Sequence, residues 1–182
     1  MGKRRWGSEM AGLTIQEMRL SDMASRAALI LVKLHPEAIF TSGRRDIMDQ
    51  ARVMATNVIR YGASWLNDTY RDKRIVKCLM TYMEENPEKC SDISLLKEGF
   101  HEQLQENFAA DLLRFPHVRG DAFDIAWPKL HNGLINRPAG ELICKTIERL
   151  PVDFDIPLDL LLRKEGQLDV IHAQFKKIGV QV

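Results

Sequence analysis

The segment that decides the fold is residues 116–124, which read PHVRGDAFD. It places an imidazole, His117, and a carboxylate, Asp124, seven positions apart around a glycine. Both side chains can face one point if a loop carries His117 and the following strand, predicted over residues 122–127, carries Asp124. Imidazole nitrogens and carboxylate oxygens are ordinary zinc ligands, and a catalytic zinc usually takes three protein ligands. A third ligand is therefore required.

The third ligand is predicted near the end of the sequence, where residues 168–175 alternate as a strand. His172 lies in this strand, and Asp169 precedes it by three residues. In an extended strand these two positions point to opposite faces, so a kink or bulge between them is part of the prediction. A lone histidine is more often structural than a ligand, and we assign structural roles to the three histidines without comparable neighbours: His35, His101 and His131.

The sequence before this site predicts a helix, a strand and a turn. Thr14 and Glu17 have the spacing of a capping box, and apolar residues then recur at helical intervals, which predicts one helix over residues 14–34. Residues 38–41 are predicted to form a short strand. This strand leads into residues 42–45, Ser-Gly-Arg-Arg, where the glycine allows the chain to bend.

The middle of the chain is predicted to be helical. Asp46 can cap a helix that fades near residues 61–62. Residues 62–108 read as further helix, in two pieces that are separated by Pro87 and Ser91. This long helical stretch stands between the turn at residues 42–45 and the segment that carries the first two ligands.

After the first two ligands, residues 139–150 are predicted as one more helix, with Pro138 at its start. We therefore expect an α+β fold in a single domain over residues 1–182. A small antiparallel sheet should carry the metal ligands and pack against helices, with an inserted helical region near residues 62–108.

The composition limits the classes of function. The 26 Lys and Arg residues against 25 Asp and Glu residues give a net charge of +1, which lacks the positive charge that drives nucleic-acid binding. No apolar run is long enough to span a bilayer. The basic residues 3–5 are followed by WGSE rather than by an apolar core, so we predict no signal peptide. The three cysteines form no close metal-binding pair, which fits a reducing cytoplasm.

Three motifs occur in a fixed order: Ser-Gly-x-Arg at residues 42–45, His-x-x-Gly-x-Ala-x-Asp at residues 117–124 and Asp-x-x-His at residues 169–172. Together they resemble the family of zinc D-alanyl-D-alanine carboxypeptidases and L-alanyl-D-glutamate endopeptidases, which includes many phage endolysins. The resemblance extends from Ser42 to Phe175.

The resemblance implies a role for each matching residue. His117, Asp124 and His172 match the zinc ligands, and Asp169 matches the carboxylate that acts as general base. Arg45 matches an arginine that binds substrate or stabilises the developing negative charge, and Gln50 falls where related sequences often have Gln or Asn near the site: both are candidate substrate-binding residues. The implied activity is hydrolysis of an amide bond in the peptide stem of peptidoglycan.

The sequence also departs from the family pattern. Phe115 stands where the family commonly has Ser, and Arg44 stands where it commonly has Tyr, so substrate contacts from these positions are not carried over. The interval between Arg45 and His117 is longer than expected, which identifies residues 62–108 as the insertion. Such an insertion can shape the cleft or dock a partner.

The resemblance favours an L-alanyl-D-glutamate endopeptidase that acts as a monomer and stays in the host cytoplasm until lysis. Three alternatives remain open: a D-alanyl-D-alanine carboxypeptidase, a zinc-binding module of the same fold without hydrolytic activity, and a helical phage structural protein in which the motifs are coincidental. Asp169 favours hydrolysis over pure binding, because a binding module needs no base. Metal analysis would separate the last alternative.

Overall fold

The structure is a computed structural model that describes residues 12–70, 72–109, 111, 115–164 and 169–176. Within these residues, eight α-helices and a four-stranded antiparallel sheet confirm the expected α+β fold. The helices are α1 (Ile15–Met18), α2 (Asp22–Leu34), α3 (Ile47–Tyr61), α4 (Ser64–Thr69), α5 (Lys73–Glu85), α6 (Ile93–Phe108), α7 (Pro116–Arg119) and α8 (Arg137–Asp153), with a 3-10 turn at Pro87–Lys89. The strands are β1 (Ile39–Ser42), β2 (Ala122–Ala126), β3 (Leu158–Leu162) and β4 (Val170–Phe175).

The sheet has the strand order β1-β2-β4-β3, so β2 and β4 are central and β1 and β3 form the edges. In the pairing of the central strands, Asp124 lies directly opposite His172. Side chains alternate between the two faces of a strand, and cross-strand partners share a face. The register therefore places these two predicted ligands side by side on one face of the sheet.

The opposite face of the sheet forms the first hydrophobic core. Alternating residues of β2 and β4 are fully buried there against helices α2 and α8: Phe123, Ile125, Ile171, Ala173 and Phe175. This apolar face fixes the register, since a slip by one residue would turn the apolar side chains out and the ligands into the core.

A second hydrophobic core lies within helices α3 to α6. It is built from buried side chains of all four helices: Ala51, Met54, Ala55, Val58, Trp65, Leu66, Ile75, Val76, Leu79, Tyr82, Leu96, Phe100 and Leu104. The prediction of further helix over residues 62–108 is confirmed, with the expected break between Pro87 and Ser91, but the first of the two predicted pieces is divided into α4 and α5. Asp46 accepts a hydrogen bond from the backbone N–H of Asp49, which confirms it as the cap of α3.

The prediction of one helix over residues 14–34 is wrong, because the chain breaks between α1 and α2. Arg19 adopts a left-handed conformation (φ 49°). The carbonyl of Met18 accepts from the N–H of Arg44, and the N–H of Ser21 donates to the carbonyl of Gly120. Contacts with distant loops thus replace local helical hydrogen bonds at this point.

The remaining predictions differ from the structure mainly at element ends. The strand predicted over residues 38–41 is β1, shifted by one residue, and the helix predicted over residues 139–150 is part of α8. The last predicted strand is β4, although residue 168 and the basic residues 3–5 lie outside the described residues. Strand β3 was not predicted. None of the described helices has both the length and the apolar character needed to cross a membrane.

Candidate metal centre

Three buried side chains, His117, Asp124 and His172, bring their donor atoms to one point. His172 Nδ1 lies 2.8 Å from Asp124 Oδ1 and 3.3 Å from His117 Nε2, and His117 Nε2 lies 3.4 Å from Asp124 Oδ1. The residues are 4–6% exposed, so water is largely excluded from the polar cluster. This group could hold a metal ion.

Two of the three spacings between the donor atoms fit tetrahedral coordination. An ion about 2.0–2.2 Å from each ligand atom places those atoms about 3.3–3.6 Å apart at the corners of a tetrahedron. The two distances that involve His117 Nε2, 3.3 and 3.4 Å, have this value. The distance of 2.8 Å between His172 Nδ1 and Asp124 Oδ1 is that of a hydrogen bond, and this contact would have to widen around a tetrahedral ion.

His117 lies in the one-turn helix α7 directly before β2, where a loop was expected, and Asp124 and His172 lie in the sheet. Gly120 ends this helix with a left-handed conformation (φ 82°) and turns the chain directly into β2. His117 Nδ1 lies 2.8 Å from the carbonyl oxygen of Gly43. A carbonyl only accepts hydrogen bonds, so Nδ1 carries a proton, and Nε2 is the ring nitrogen that faces the cluster.

Asp124 is held as a carboxylate by its neighbours. Burial alone would raise its pKa, but the charge and hydrogen bond of His117, the hydrogen bond of His172 and the charge of Arg45 outweigh burial, and its pKa lies well below the usual range. Arg45 donates from Nη2 to Asp124 Oδ2 at 2.8 Å. The other carboxylate oxygen, Oδ1, is thereby directed toward the histidines.

Imidazole protons account for the contacts among the three donor atoms. Asp124 is ionised, and its Oδ1 lies 2.8 Å from His172 Nδ1 and 3.4 Å from His117 Nε2, where each ring can donate to it. A cation placed among these atoms would take the position of the protons between them, and binding would release protons.

Arg45 is anchored by the loop between β1 and α3. Its backbone N–H donates to the carbonyl of His117 at 3.0 Å, and its Nε donates to Ser42 Oγ at 3.0 Å. Arg44 points elsewhere, since its side chain is exposed and its Nε donates to the carbonyl of Val118. Arg45 thus contacts the ligand cluster, and Arg44 contacts the backbone of α7.

A cavity of about 270 Å³ opens beside the metal-ligand cluster. This volume is near the lower end of the range for ligand pockets, about 300–1,000 Å³, and suits a segment of a few residues. Its walls come from the sheet face and from the helices: Arg45, Gln50, Thr69, Tyr70, Asp72, Ile75, Asp111, Phe115, Pro116, His117, Leu160, Leu162, His172 and Gln174. His117 and His172 therefore face a space that a ligand can enter.

Compared with protein-family models, curated proteins and solved structures, the chain matches none of them.

The structure brings five of the six predicted site residues together and leaves Asp169 apart from them. His117, His172, Arg45 and Gln50 line the cavity, and Asp124 is held beneath it by Arg45. Asp169 is exposed immediately before β4 and is not among the residues that line the cavity. The pairing of β4 with β2 runs in regular register from residue 170 to residue 174, without the expected bulge.

The sequence analysis missed several residues of the cavity wall. Gln174 could have been found, because it lies two residues after His172 and so shares its face of β4. Leu160 and Leu162 of β3 share a face by the same alternation. Tyr70 carries no local signal, because it reaches the cavity only through the packing of α4 and α5.

Proposed function

We propose that this protein is a zinc-dependent peptidase that hydrolyses an amide bond in the peptide stem of peptidoglycan, as an L-alanyl-D-glutamate endopeptidase. The observation that carries the proposal is the convergence of the His117, Asp124 and His172 donor atoms, which lie 2.8–3.4 Å apart, beside a cavity that Arg45 also lines. Two imidazole nitrogens and one carboxylate oxygen suit zinc better than magnesium or calcium, which prefer oxygen ligands.

In this proposal the zinc ligands are His117 Nε2, Asp124 Oδ1 and His172 Nδ1. When bound, zinc supplies Lewis acidity, which polarises the scissile carbonyl and lowers the pKa of a water molecule. The protein contributes the rest through fixed groups. Gly43 orients His117 through its carbonyl, and Arg45 orients Asp124, so that both donors are positioned before an ion arrives.

Arg45 has a second task in the proposed reaction. It uses Nε and Nη2 for Ser42 and Asp124, and its remaining N–H groups have no partner among the described residues. Because Arg45 also lines the cavity, these groups are available to a substrate carboxylate or to the developing oxyanion. Peptidoglycan stems are rich in carboxylates, which fits an arginine at this place. Gln50 supplies a further polar contact from α3.

Asp169 is the proposed general base on the resemblance alone. Replacing it with Asn removes the basic group and keeps the shape, so turnover should fall by at least about a hundredfold. Zinc content should stay at the wild-type value, because Asp169 is exposed and does not belong to the ligand cluster. Asp155→Asn is the matched control at another exposed position. Full turnover in Asp169→Asn would remove this residue from the mechanism.

A second candidate function is zinc binding without hydrolysis. It is favoured by one observation, namely that Asp169 does not line the cavity beside the cluster. A module of this kind would bind stem peptide or another ligand in the cavity and leave it intact.

Digestion of purified sacculi separates these functions. The zinc-loaded protein should release stem fragments with a new amino-terminal glutamate, as identified by mass spectrometry of the products. Free alanine would instead identify a carboxypeptidase, and intact stems in the presence of bound zinc would identify a binding module. His172→Ala should lose both zinc and activity, while His131→Ala, which changes an exposed histidine, should keep both.

A further inference from the structure

The helical insertion supplies one wall of the cavity through the junction between α4 and α5. Tyr70 lies at this junction, and its ring is fixed by two edge-on contacts. The ring centroid is 5.6 Å from that of Trp65 at 80° and 5.8 Å from that of Phe115 at 81°. Such contacts favour one position of the ring. The hydroxyl group is therefore presented at a defined place beside the cavity.

The hydroxyl group of Tyr70 meets the side chain of Gln50 on α3. Gln50 Nε2 donates to Tyr70 Oη at 2.9 Å, and Gln50 is only 2% exposed. The other end of the amide, the carbonyl oxygen of Gln50, has no partner among the described residues. Gln50 lines the cavity, so this nearly buried acceptor is left for a molecule that enters it.

From this arrangement we infer that Tyr70 is a positioning residue. It holds the Gln50 amide with the carbonyl oxygen toward the cavity, where that oxygen accepts a hydrogen bond from a main-chain N–H of the bound peptide. The inference rests on the proposed function and deepens it, because it gives the insertion a part in substrate recognition. The subsite requires an N–H group in the substrate.

The burial of Gln50 strengthens this requirement. The cavity mixes apolar side chains such as Ile75 and Leu160 with polar ones such as Arg45 and Asp72, but Gln50 itself is only 2% exposed. A hydrogen bond away from water is stronger than one in water, and an acceptor that is buried without a partner is costly. A substrate that lacks the N–H group should therefore be disfavoured by roughly tenfold to a hundredfold in kcat/KM.

The test uses a stem peptide and analogues in which the main-chain N–H groups flanking the cleaved bond are methylated one at a time. For the zinc-loaded wild type, methylation at one position should lower kcat/KM by about tenfold or more. Tyr70→Phe keeps the ring between Trp65 and Phe115 and removes only the hydroxyl group, so its melting temperature and zinc content should stay near wild type. Its preference for the N–H peptide over the methylated one should fall toward unity.

Two further variants complete the comparison. Gln50→Met has a similar shape without the acceptor, so it should lose the same preference. Tyr61→Phe removes a hydroxyl group from a partly buried tyrosine that does not line the cavity, and it should keep the wild-type preference. A purely structural tie between Tyr70 and Gln50 would lower the melting temperature of Tyr70→Phe and leave its preference unchanged, which would overturn the inference.

The same peptides distinguish failure of this inference from failure of the proposed function. If the wild type hydrolyses none of them, calorimetric Kd values replace kcat/KM in the comparison. In that case the wild type should bind the N–H peptide more tightly than the methylated one, and Tyr70→Phe should not. This result supports the inference and rejects hydrolysis. Equal Kd values, or no binding of any peptide, reject the inference. Hydrolysis without any effect of methylation rejects the inference and keeps the function.

Discussion

Arg45 and Arg44 are adjacent residues with different contacts. Arg45 bonds Ser42 and Asp124 through two nitrogens of its planar guanidinium group, and its side chain is only 14% exposed. Arg44 is exposed and donates to the carbonyl of Val118. The planar guanidinium group of Arg45 fixes the orientation of Asp124, a predicted metal ligand. The effect of Arg45 on the site therefore depends on the geometry of its N–H groups as well as on its charge.

Replacing Arg45 with Lys should therefore weaken the site although the charge is kept. A single ammonium group cannot bond both Ser42 and Asp124 in the same geometry, so zinc affinity should fall about tenfold and turnover about a hundredfold at saturating zinc. Arg44→Lys should change each quantity less than twofold. Zinc titration and stem-peptide cleavage measure the two effects, and equal losses in the two variants would contradict the distinction.

Asp124 gives the metal-free protein a pH-dependent stability. Its pKa in the folded state lies well below the usual 3.8, so it stabilises the fold fully above about pH 4. This contribution is lost as the pH falls from about 4 through the folded-state pKa. Asp124→Asn cannot titrate and leaves Arg45 without its buried partner, so it should be less stable than wild type at pH 6 by about 3 kcal/mol.

Urea unfolding of both metal-free proteins between pH 2.5 and 6 measures this effect. The difference between wild type and Asp124→Asn should shrink as the pH falls below about 4, because protonation removes the charge that the variant lacks at every pH. Parallel curves over the whole range would show that Asp124 does not hold its low pKa.

At the scale of elements, the loop between β1 and α3 depends on a close approach to α1. A Cβ atom added to Gly43 would lie 2.5 Å from both the Cβ and the carbonyl oxygen of Met18. The carbonyl oxygen of Gly43 also accepts a hydrogen bond from His117 Nδ1. The packing of this short loop against α1 therefore helps to set the orientation of His117, a predicted metal ligand.

We expect Gly43→Ala to lower both stability and zinc affinity, because the loop must move away from Met18 and carry the Gly43 carbonyl with it. A loss of about tenfold in zinc affinity is expected. Gly133→Ala is the control: it places alanine at a positive φ of 81° with no atom within 4 Å. It should cost about 1 kcal/mol of stability and leave zinc affinity unchanged. Calorimetry with zinc and thermal unfolding decide between these outcomes.

The elements that the sequence predicted well are those whose signals are local. The cap at Asp46 and the alternation of residues 122–127 need only neighbouring residues to be recognised. The break at Arg19 and the helical turn that carries His117 depend on contacts with distant loops. Strand β3 was missed because its leucines do not alternate with polar residues along its whole length.

At the scale of the molecule, the sequence predicts the candidate ligands because their spacing follows a motif. It does not predict where these residues lie relative to the cavity. The register of β2 and β4 explains why Asp124 and His172 meet, and it follows from the alternation of apolar residues in both strands. The position of Asp169 outside the cavity lining and the role of Tyr70 in the wall both depend on how the helices pack against the sheet. No local pattern encodes that packing.

Metal binding should also stabilise the whole molecule. The three donors come from α7, β2 and β4, so an unfolded chain offers no comparable site and zinc favours the folded state. Zinc at about a hundred times its Kd should add about 2.7 kcal/mol, which raises the melting temperature by about 5–10 °C. A chelator should reverse the shift, and His131→Ala should show it in full. An equal shift in His172→Ala would contradict the ligand assignment.

The two edges of the sheet differ in the feature that hinders the addition of a strand from another chain. Edge β1 is partly covered, since the N–H of Leu13 donates to the carbonyl of Phe40. Edge β3 carries four leucines, but the exposed Asp159 stands between the first and the second. Asp159 accepts a hydrogen bond from Gln174 Nε2. The pairing of β3 with β4 shifts register at this residue. A foreign strand that added to this edge would have to accommodate a charge and an irregular ladder. The leucine-rich strand beside the cavity is thereby protected from aggregation by strand addition.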